Sequence, residues 1–287
     1  MNSALRKLVP PRLKEVVLNS PLCVRHKSTY VNIFHCCVWK TGSRWIRRVL
    51  GDRRTFRYSG LRTFSYHDEL PGGADYRPLN QRGFERPFPQ RTIVSPLYVD
   101  FENYGGFPKP DLSRAFFVMR DPRDVLVSWY FSISHSHPSV GVVEGVREVL
   151  ATKSLTDGLL YCIDALEEKG LFPALRSWAS APTGYAVKLV RFEELVGRNN
   201  FQVVKDLLIH CDIRMNDDVL RELLGQYSFE RMSGGRKPGE EERDSNYRKG
   251  TPGDWKNYFD PVIDTRFSEV TGDLVDLLGY GDDSQVW

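Results

Sequence analysis

A lysine, a glycine and hydroxyl-bearing residues follow an apolar run near the start of the chain. The run is VNIFHCCVW at 31–39, and after it come Lys40, Thr41, Gly42, Ser43, Arg44 and Trp45. A helix N-terminus binds anions through its free N–H groups, glycine allows close approach, and lysine adds a mobile charge. The pattern therefore predicts a phosphate-binding loop. It is not a Walker A motif, because the lysine precedes the glycine, and an ordinary capped helix is the alternative.

A second group of residues combines a guanidinium with a hydroxyl. Arg120 ends an apolar run, Asp121 and Pro122 read as the start of a helix, and Ser128 lies on that helix. The helix rises about 9 Å from Pro122 to Ser128, so an extended Arg120 side chain can reach the serine hydroxyl. Such a pair suits a dianionic phosphate. The alternative is an Arg–Asp network that only fixes the loop.

A third group places two adjacent cations before a glycine. Arg248, Lys249 and Gly250 precede the stretch TPGDWKN, inside the charged and glycine-rich segment 233–250, which we expect to be a mobile loop. Two cations on such a loop can close over a phosphate that the rest of the protein presents. A solvated charged loop is the alternative interpretation.

The order of elements explains how these distant residues could meet. Apolar runs at 31–39, 92–99, 115–119 and 185–190 predict strands, and helical patterns occupy the stretches between and after them. Strands that alternate with helices predict one α/β domain with a mainly parallel sheet, and ligands of such sheets bind at the carboxyl ends of the strands. Ser43 and Asp121 are the predicted N-caps. The final helix is expected over 260–279, burying Val262, Val270, Leu274 and Leu277.

Residues 52–91 differ in composition from the rest of the chain. They contain prolines, glycines, aromatic residues and eight arginines, with no sustained period. A segment of this length is either a functional lid or partly disordered. Its arginines favour an anionic acceptor or a membrane surface, whereas its interleaved aromatic residues equally suit an aromatic or lipid-like alcohol.

Together the three groups resemble motifs of the PAPS-dependent sulfotransferases, in particular the soluble, cytosolic-type branch. KTGSRW resembles the 5′-phosphosulfate loop of that family, RDPRDVLVS its 3′-phosphate motif, and YRKGTPGDWKNYF its C-terminal RKGxxGDWKN signature. The resemblance implies the P-loop-kinase-like sulfotransferase fold, a mainly parallel central sheet flanked by helices. We expect this domain over residues 29–287, after a basic N-terminal leader at 1–28.

The resemblance also implies an activity and the residues that perform it. The sulfuryl group of PAPS would pass to a hydroxyl, or as second choice an amine, of a small-molecule, lipid or glycan acceptor, with release of PAP and without a metal. Lys40 would contact the bridging oxygen and the 5′-phosphate. The family's motifs would assign the 5′ side also to Thr41, Gly42, Ser43 and Arg44, the 3′-phosphate to Arg120, Ser128, Arg248, Lys249 and Gly250, and the adenine to Trp45 and Phe229.

The sequence departs from the family at the catalytic base. The family usually has a histidine near position 96, where this chain has Pro96, and proline cannot accept a proton. His67 is the first candidate for the base, because an imidazole beside carboxylates suits general-base work at neutral pH. Asp100 and Glu102 are the next candidates, and His137 is expected to line the acceptor pocket. Phe192 replaces a tyrosine that usually contacts the adenine.

Two other functions stay open on the sequence alone. A non-catalytic module that binds PAP or PAPS would explain Pro96. A P-loop kinase or NTPase would share the general architecture, although no Walker A motif supports it.

Composition narrows the class of protein further. The 287 residues contain 40 basic and 37 acidic side chains, and a net charge of +3 argues against a general nucleic-acid binder. Five cysteines without a CxxC spacing predict neither a zinc site nor a disulfide framework, but free apolar side chains in a reducing compartment. No apolar run is long enough to span a bilayer, so we expect a cytoplasmic protein.

The segments near the two ends of the chain bear on membrane contact and on dimerisation. The basic leader, with four lysines and arginines in its first 14 residues, is compatible with peripheral contact with a membrane. Near the C-terminus, Asp260 and Pro261 replace the threonine and valine of the family's short dimerisation motif. The oligomeric state is therefore undetermined by the sequence.

Overall fold

The computed structural model describes residues 24–70, 73–138, 142–182 and 186–282. Five strands form one sheet: β1 (Asn32–Cys37), β2 (Arg62–Phe64), β3 (Thr92–Tyr98), β4 (Ser113–Met119) and β5 (Val187–Arg191). Their order is β2–β3–β1–β4–β5, and every neighbouring pair is parallel. The predicted α/β domain with a mainly parallel sheet is confirmed.

Helices connect and flank the strands. The α-helices are α1 (Ser43–Gly51), α2 (Arg53–Arg57), α3 (Phe101–Gly106), α4 (Pro122–Phe131), α5 (Val142–Ala151), α6 (Leu155–Glu168), α7 (Leu171–Ala179), α8 (Phe192–Val196), α9 (Asn200–His210), α10 (Asp217–Gln226), α11 (Phe229–Met232), α12 (Pro261–Thr271) and α13 (Leu274–Leu277). Short 3₁₀ turns lie at Tyr66–Glu69, Leu79–Gln81 and Asp254–Asn257, and a π-helical turn, Ser132–Ser136, continues α4.

The sheet is buried on both faces. Along β4, Ala115 and Phe117 belong to one apolar cluster, whereas Phe116 and Val118 belong to the other, as expected from side chains that alternate across a strand. Helices α4, α6, α7 and α12 pack on the first face, and α1, α9 and α10 pack on the second. Both faces are therefore used for packing, which leaves the carboxyl edge of the sheet for chemistry.

The register of the central strands brings the chemical residues together. Cys37 of β1 pairs with Tyr98 of β3 on one side and with Val118 of β4 on the other. Because these strands are parallel and end at the same level, the segment containing Lys40 lies beside Arg120. The first two motifs therefore share one edge of the sheet.

Several details of the predicted elements are wrong. The sequence did not indicate β2, which has three residues and pairs only with β3. The last helix ends at Thr271 and not at Gly279, since Gly272 follows it and a separate helix begins at Leu274. Val262 and Leu277 are exposed, and the buried residues of α12 are instead Ile263, Phe267 and Thr271. The first residue of the predicted strand 185–190 lies outside the described residues.

The segment 52–91 packs against the domain over its described part. Tyr66, Leu79, Arg82 and Phe88 are all buried, and the Leu79 N–H donates to the carbonyl of Lys169 at 2.9 Å. The buried side chains anchor the segment beside the carboxyl edge of the sheet, where a lid would have to lie.

The predicted leader lies largely outside the described residues, which begin at residue 24. Its last residues contact the domain: the Arg25 N–H donates to the Arg57 carbonyl at 2.7 Å, and the Ser28 hydroxyl donates to the Cys211 carbonyl at 3.2 Å. Cys36, Cys37, Cys162 and Cys211 are free and buried, as predicted, and Cys23 is not among the described residues. Among the described helices, none is both long and apolar enough to cross a membrane.

Candidate active site

The loop after β1 turns sharply into α1. Lys40 has φ 68° and Gly42 has φ 78°, both in the left-handed region. The N-cap of α1 is Gly42, so the prediction of Ser43 as N-cap is wrong. The Ser43 hydroxyl bonds instead to the hydroxyl of Tyr98 at 2.8 Å. The first turn of α1 carries no acidic residue and no side-chain cap. The N–H groups of Trp45 and Ile46 bond to the Gly42 carbonyl, and those of Ser43 and Arg44 are available to an anion.

Glycine is required at position 42 for two reasons. Its φ is unfavourable for other residues, and a Cβ there would lie 2.7 Å from the Phe192 ring. The same ring lies 4.6 Å from the guanidinium carbon of Arg120. Phe192, which stands where the family usually has tyrosine, thus packs between the phosphate loop and the second motif.

Arg120 connects the first two motifs directly. Its Nη1 donates to the backbone carbonyl of Lys40 at 2.9 Å, and its Nη2 lies 3.5 Å from an oxygen of Asp124. Its Nε is buried and has no hydrogen-bond partner among the described residues. A buried donor without a partner is costly, and an anion held here would satisfy it.

Asp124 connects the second motif to the third. Its two carboxylate oxygens accept the backbone N–H groups of Gly253 and Trp255, at 2.8 and 2.9 Å. Asp124 lies in the first turn of α4, where Asp121 is the N-cap, as predicted, and accepts the Arg123 N–H at 2.9 Å. The C-terminal signature is therefore fixed to the helix that follows Arg120.

Asp254 positions the two cations of the third motif. Its carboxylate pairs with Arg248 through one oxygen and with Lys249 through the other. Although burial alone raises its pKa, the hydrogen bonds from Lys249 and Arg248 hold the pKa of Asp254 below its usual value. Gly250, which follows Lys249, has φ 72° and packs against the ring of Phe229, where a Cβ would clash.

Three arginines act on Lys40. Burial lowers the pKa of Lys40 to about 7. The next contributions to this shift are the positive charges of Arg44, Arg120 and Arg248. Residues separated by more than 200 positions thus act on one ammonium group, and the arrangement is built to hold a strongly anionic ligand.

Comparison with known proteins decides the family. A family model for the sulfotransferase domain matches residues 113–279, more than half of the chain. This chain belongs to the sulfotransferase family. The matched range contains Arg120, Ser128 and the third motif, whereas the loop at Lys40 lies before it.

Solved structures with the same fold are similar to this sulfotransferase at low sequence identity. A mouse sulfotransferase, SULT7A1, complexed with PAP is 19% identical, with a TM-score of 0.57 and coverage of 90% of each chain. Retinol dehydratase with androsterone and PAP is 12% identical, with a TM-score of 0.51 over 89% of this chain and 82% of that one. Retinol dehydratase with retinol and PAP is 13% identical, with a TM-score of 0.52 over 89% and 83%. These likenesses confirm the fold.

The adenine candidates of this sulfotransferase lie on neighbouring elements. The Trp45 indole N–H donates to the Tyr227 carbonyl at 2.8 Å, and Phe229 begins α11 two residues later. Trp45 and Phe229 are both half-buried. Phe229 also touches Gly250, so this aromatic pair borders the third motif. Ser128 is half-buried on α4.

His67 is linked to the loop after β1 by one intervening residue, Tyr98. Its ring centroid lies 5.4 Å from that of Tyr98, whose hydroxyl bonds to Ser43. Burial, and then the positive charge of Arg82, lowers the pKa of His67 to about 4. The imidazole is therefore neutral at physiological pH, but a pKa this far below 7 makes it a weaker base than a histidine with its ordinary pKa.

The other acid–base candidates have different surroundings. Asp100 is the N-cap of α3 and accepts both the backbone and side-chain N–H groups of Asn103, at 2.9 and 2.7 Å. Glu102 is exposed on that helix. Pro96 is buried within β3, at a point where the β1–β3 register shifts.

His137 lies at the end of the π-helical turn. Its Nδ1 is 3.1 Å from the Pro138 carbonyl, and its own carbonyl accepts a hydrogen bond from Arg147. Burial lowers its pKa, the hydrogen bond with the Pro138 carbonyl opposes this shift, and the positive charges of Arg44 and Lys40 add to it. This location is compatible with the acceptor pocket predicted for it.

Two residues of the site were not singled out from the sequence. Tyr98 gave no signal other than its place at the end of an apolar strand. Asp254 lay inside the third motif, but its pairing with Arg248 and Lys249 depends on the fold of the loop. Within the described residues, no group of three or more histidine, cysteine or acidic side chains could hold a metal.

Proposed function

We propose that this sulfotransferase transfers the sulfuryl group of PAPS to a hydroxyl, or as second choice an amine, of a small-molecule, lipid or glycan acceptor and releases PAP. The contacts that join Lys40 to Arg120 and, through Asp124, to the loop of Arg248 carry the proposal. A donor with phosphates at two positions needs cations from several parts of the chain, and these residues supply them.

The residues present fit the phosphate groups of PAPS. The unpartnered Nε of Arg120 and the pair Arg248–Lys249 would hold the 3′-phosphate, together with Ser128 and Gly250. The free N–H groups at the start of α1 and the Lys40 ammonium would hold the 5′ side, with Thr41, Gly42, Ser43 and Arg44 around them. Trp45 and Phe229 would enclose the adenine.

PAPS supplies the sulfuryl group, and the chain supplies position and charge. In an in-line displacement negative charge develops on the leaving phosphate, so Lys40 would stabilise it. The resulting increase in local negative charge favours the protonated form of Lys40 and offsets the effect of burial. His67, neutral and beside Tyr98, would take the proton of the attacking hydroxyl.

Transfer of radiolabelled sulfate from PAPS to a panel of hydroxyl compounds tests the proposal. Androsterone and retinol belong in the panel, because solved relatives bind them. We expect transfer by the wild type, a loss of about 10²–10³-fold with Lys40→Ala, and no loss with Lys153→Ala, an exposed lysine. Full activity of the Lys40→Ala variant would contradict the proposed role of Lys40.

A non-catalytic PAP- or PAPS-binding module is the second candidate function. The buried position of Pro96 favours it, since the usual histidine is missing. Tight PAP binding without transfer across the whole panel would support this module. Thermal stabilisation by ATP and none by PAP would instead favour a kinase or NTPase. The free buried cysteines are compatible with a reducing compartment, and we place the protein in the cytoplasm.

A further inference from the structure

One arginine of the segment 52–91 is almost completely buried. The exposed fraction of Arg82 is 1%, whereas the side chain of Arg77, in the same segment, is 46% exposed. Charged side chains are seldom buried to this extent unless their charge and their hydrogen-bond donors have partners. The partners of Arg82 therefore indicate why the chain buries a guanidinium beside the carboxyl edge of the sheet.

Part of the Arg82 guanidinium fixes the backbone of its own segment. Its Nε donates to the Arg77 carbonyl at 3.0 Å, and its Nη2 donates to the Asp75 carbonyl at 2.7 Å. A carboxylate oxygen of Asp75 also lies 3.7 Å from Nε, so the buried charge has a counter-ion. These contacts hold residues 75–82 together as one unit.

The rest of the Arg82 guanidinium reaches two residues outside this unit. Its Nη1 donates to the Tyr66 hydroxyl at 3.3 Å, and its central carbon lies 5.3 Å from the centroid of the Trp39 ring, within the range of a cation–π contact. Tyr66 precedes His67, and the centroids of their rings are 4.0 Å apart. Trp39 precedes Lys40. Arg82 thus joins the residue before the proposed base to the residue before the lysine.

The loop after β1 also has supports that do not involve Arg82. The Thr41 hydroxyl donates to the Val38 carbonyl at 2.9 Å, and Arg120 donates to the Lys40 carbonyl at 2.9 Å. These two hydrogen bonds fix the backbone on both sides of the loop. Loss of Arg82 would therefore leave Lys40 in place.

His67 depends on Arg82 more directly. Its imidazole contacts the rings of Tyr66 and Tyr98, and Tyr66 is the ring whose hydroxyl Arg82 holds. Burial lowers the pKa of His67, and the positive charge of Arg82 is the next contribution to that shift. The guanidinium therefore acts on the imidazole both through Tyr66 and through its charge.

We propose that Arg82 is a positioning residue, which holds the imidazole of His67 against the loop that carries Lys40. This inference rests on the proposed function, in which His67 takes the proton of the acceptor. It gives the buried arginine of the segment 52–91 a role in the reaction, since the base and the donor must keep a fixed distance during an in-line displacement.

Acylation of His67 by diethyl pyrocarbonate tests the inference in the free protein. The reagent attacks neutral imidazole, and at pH 7.5 His67 stays mainly neutral even if its pKa returns to the ordinary value of 6.5. Mass spectrometry gives the rate at His67 and, in the same sample, at His26, which bonds to Asp212. We expect Arg82→Met to raise the rate at His67 about tenfold and to change the rate at His26 by less than about twofold.

Two other variants complete the comparison. Arg86→Met, at an exposed arginine of the same segment, is the matched control and should change neither rate. Tyr66→Phe removes only the hydroxyl that Arg82 contacts, and it should raise the rate at His67 about threefold. It keeps the test decisive if thermal unfolding shows that Arg82→Met does not fold.

The donor side should respond differently from His67. We expect the affinity for PAP, measured by calorimetry, to change by less than about twofold in Arg82→Met and Tyr66→Phe, because Lys40 keeps its own supports. With an acceptor identified by the panel, kcat of Arg82→Met should fall about 10–100-fold, whereas KM for PAPS should not change.

An unchanged rate at His67 in both variants would overturn the inference. An equal rise at His67 and His26 would also overturn it, since the whole fold would then have loosened. A loss of PAP affinity as large as the rise at His67 would assign Arg82 to the donor side instead. A wild type that binds no PAP would remove the proposed function, whereas the rates at His67, measured without PAP, would still decide whether Arg82 holds this imidazole.

Discussion

Arg120 donates a hydrogen bond of 2.9 Å to the backbone carbonyl of Lys40. This contact joins two motifs that lie 80 positions apart, and it fixes a lysine whose φ of 68° costs about 1–3 kcal/mol for a residue other than glycine. Arg120, whose side chain would bind the 3′-phosphate, thus also holds the backbone of Lys40.

Replacing Arg120 with lysine distinguishes the effect of its positive charge from that of its hydrogen-bond geometry. Arg120→Lys keeps the positive charge but loses the planar guanidinium that bonds to Lys40 and lies over Phe192. We expect PAP affinity to fall about tenfold, since charge-assisted hydrogen bonds contribute about 1.5–3 kcal/mol. Calorimetry measures the affinity, and Arg198→Lys, at an exposed position, is the control. Unchanged affinity would show that charge alone suffices.

Removing the charge of Asp254 tests the third motif. Asp254→Asn leaves Arg248 and Lys249 without their shared carboxylate, so both side chains become free to move. We expect PAP to bind about tenfold more weakly, even though the net positive charge of the site rises. Asp260→Asn, at the N-cap of α12, is the control. Tighter binding of PAP by Asp254→Asn would mean that charge outweighs positioning.

The pKa of Lys40 predicts how PAP binding depends on pH. Its pKa is about 7 in the free protein, and a bound phosphate raises it, because an anion favours the ammonium form. PAP affinity should therefore fall as the pH rises above about 7, by up to tenfold per pH unit. Lys40→Arg should abolish this dependence, since arginine stays charged. A wild-type affinity that is constant from pH 7 to pH 9 would contradict the lowered pKa.

The proposed base makes a kinetic prediction. His67→Gln should lower the rate of transfer about 10²–10⁴-fold and leave PAP affinity unchanged. Because the pKa of His67 is about 4, the wild-type rate should not decline between pH 8 and pH 6 through protonation of this residue. His26→Gln, at a histidine bonded to Asp212, is the control. A larger loss with His137→Gln than with His67→Gln would transfer the role to His137.

A buried glutamate beside the second motif predicts how stability depends on pH. Glu193 accepts the Asp121 N–H at 3.1 Å and the Tyr280 hydroxyl at 2.7 Å, and burial raises its pKa from 4.5 to about 7. The folded state therefore binds more protons than the unfolded state between these pH values, so stability falls as the pH rises through them.

Glu193→Gln removes this ionisation and keeps the shape of the side chain. We expect the variant to gain about 1–3 kcal/mol over the wild type at pH 8 and little at pH 4.5. Urea unfolding at the two pH values measures the difference. An equal effect at both pH values would show that hydrogen-bond geometry and not ionisation decides the stability.

The sequence alone determined the fold class and predicted the motifs that would bind the donor. The continuous apolar runs at 31–39 and 115–119 favour strands buried on both faces, and such strands occur in parallel sheets with helical crossovers. Residues such as Lys40, Arg120 and Lys249 follow local patterns, because a phosphate loop requires particular residues at adjacent positions. The start of α4 at Asp121 and Pro122 was predictable for the same reason.

Only the tertiary structure decided what depends on residues far apart in the chain. Strand β2 has three residues and exists through its pairing with β3, so no local pattern indicates it. Tyr98 acquires its place between Ser43 and His67 only when three elements meet. The pKa of Lys40 is likewise set by burial and by distant arginines. Local periodicity reports how a segment folds, whereas desolvation and charge at a site depend on long-range packing.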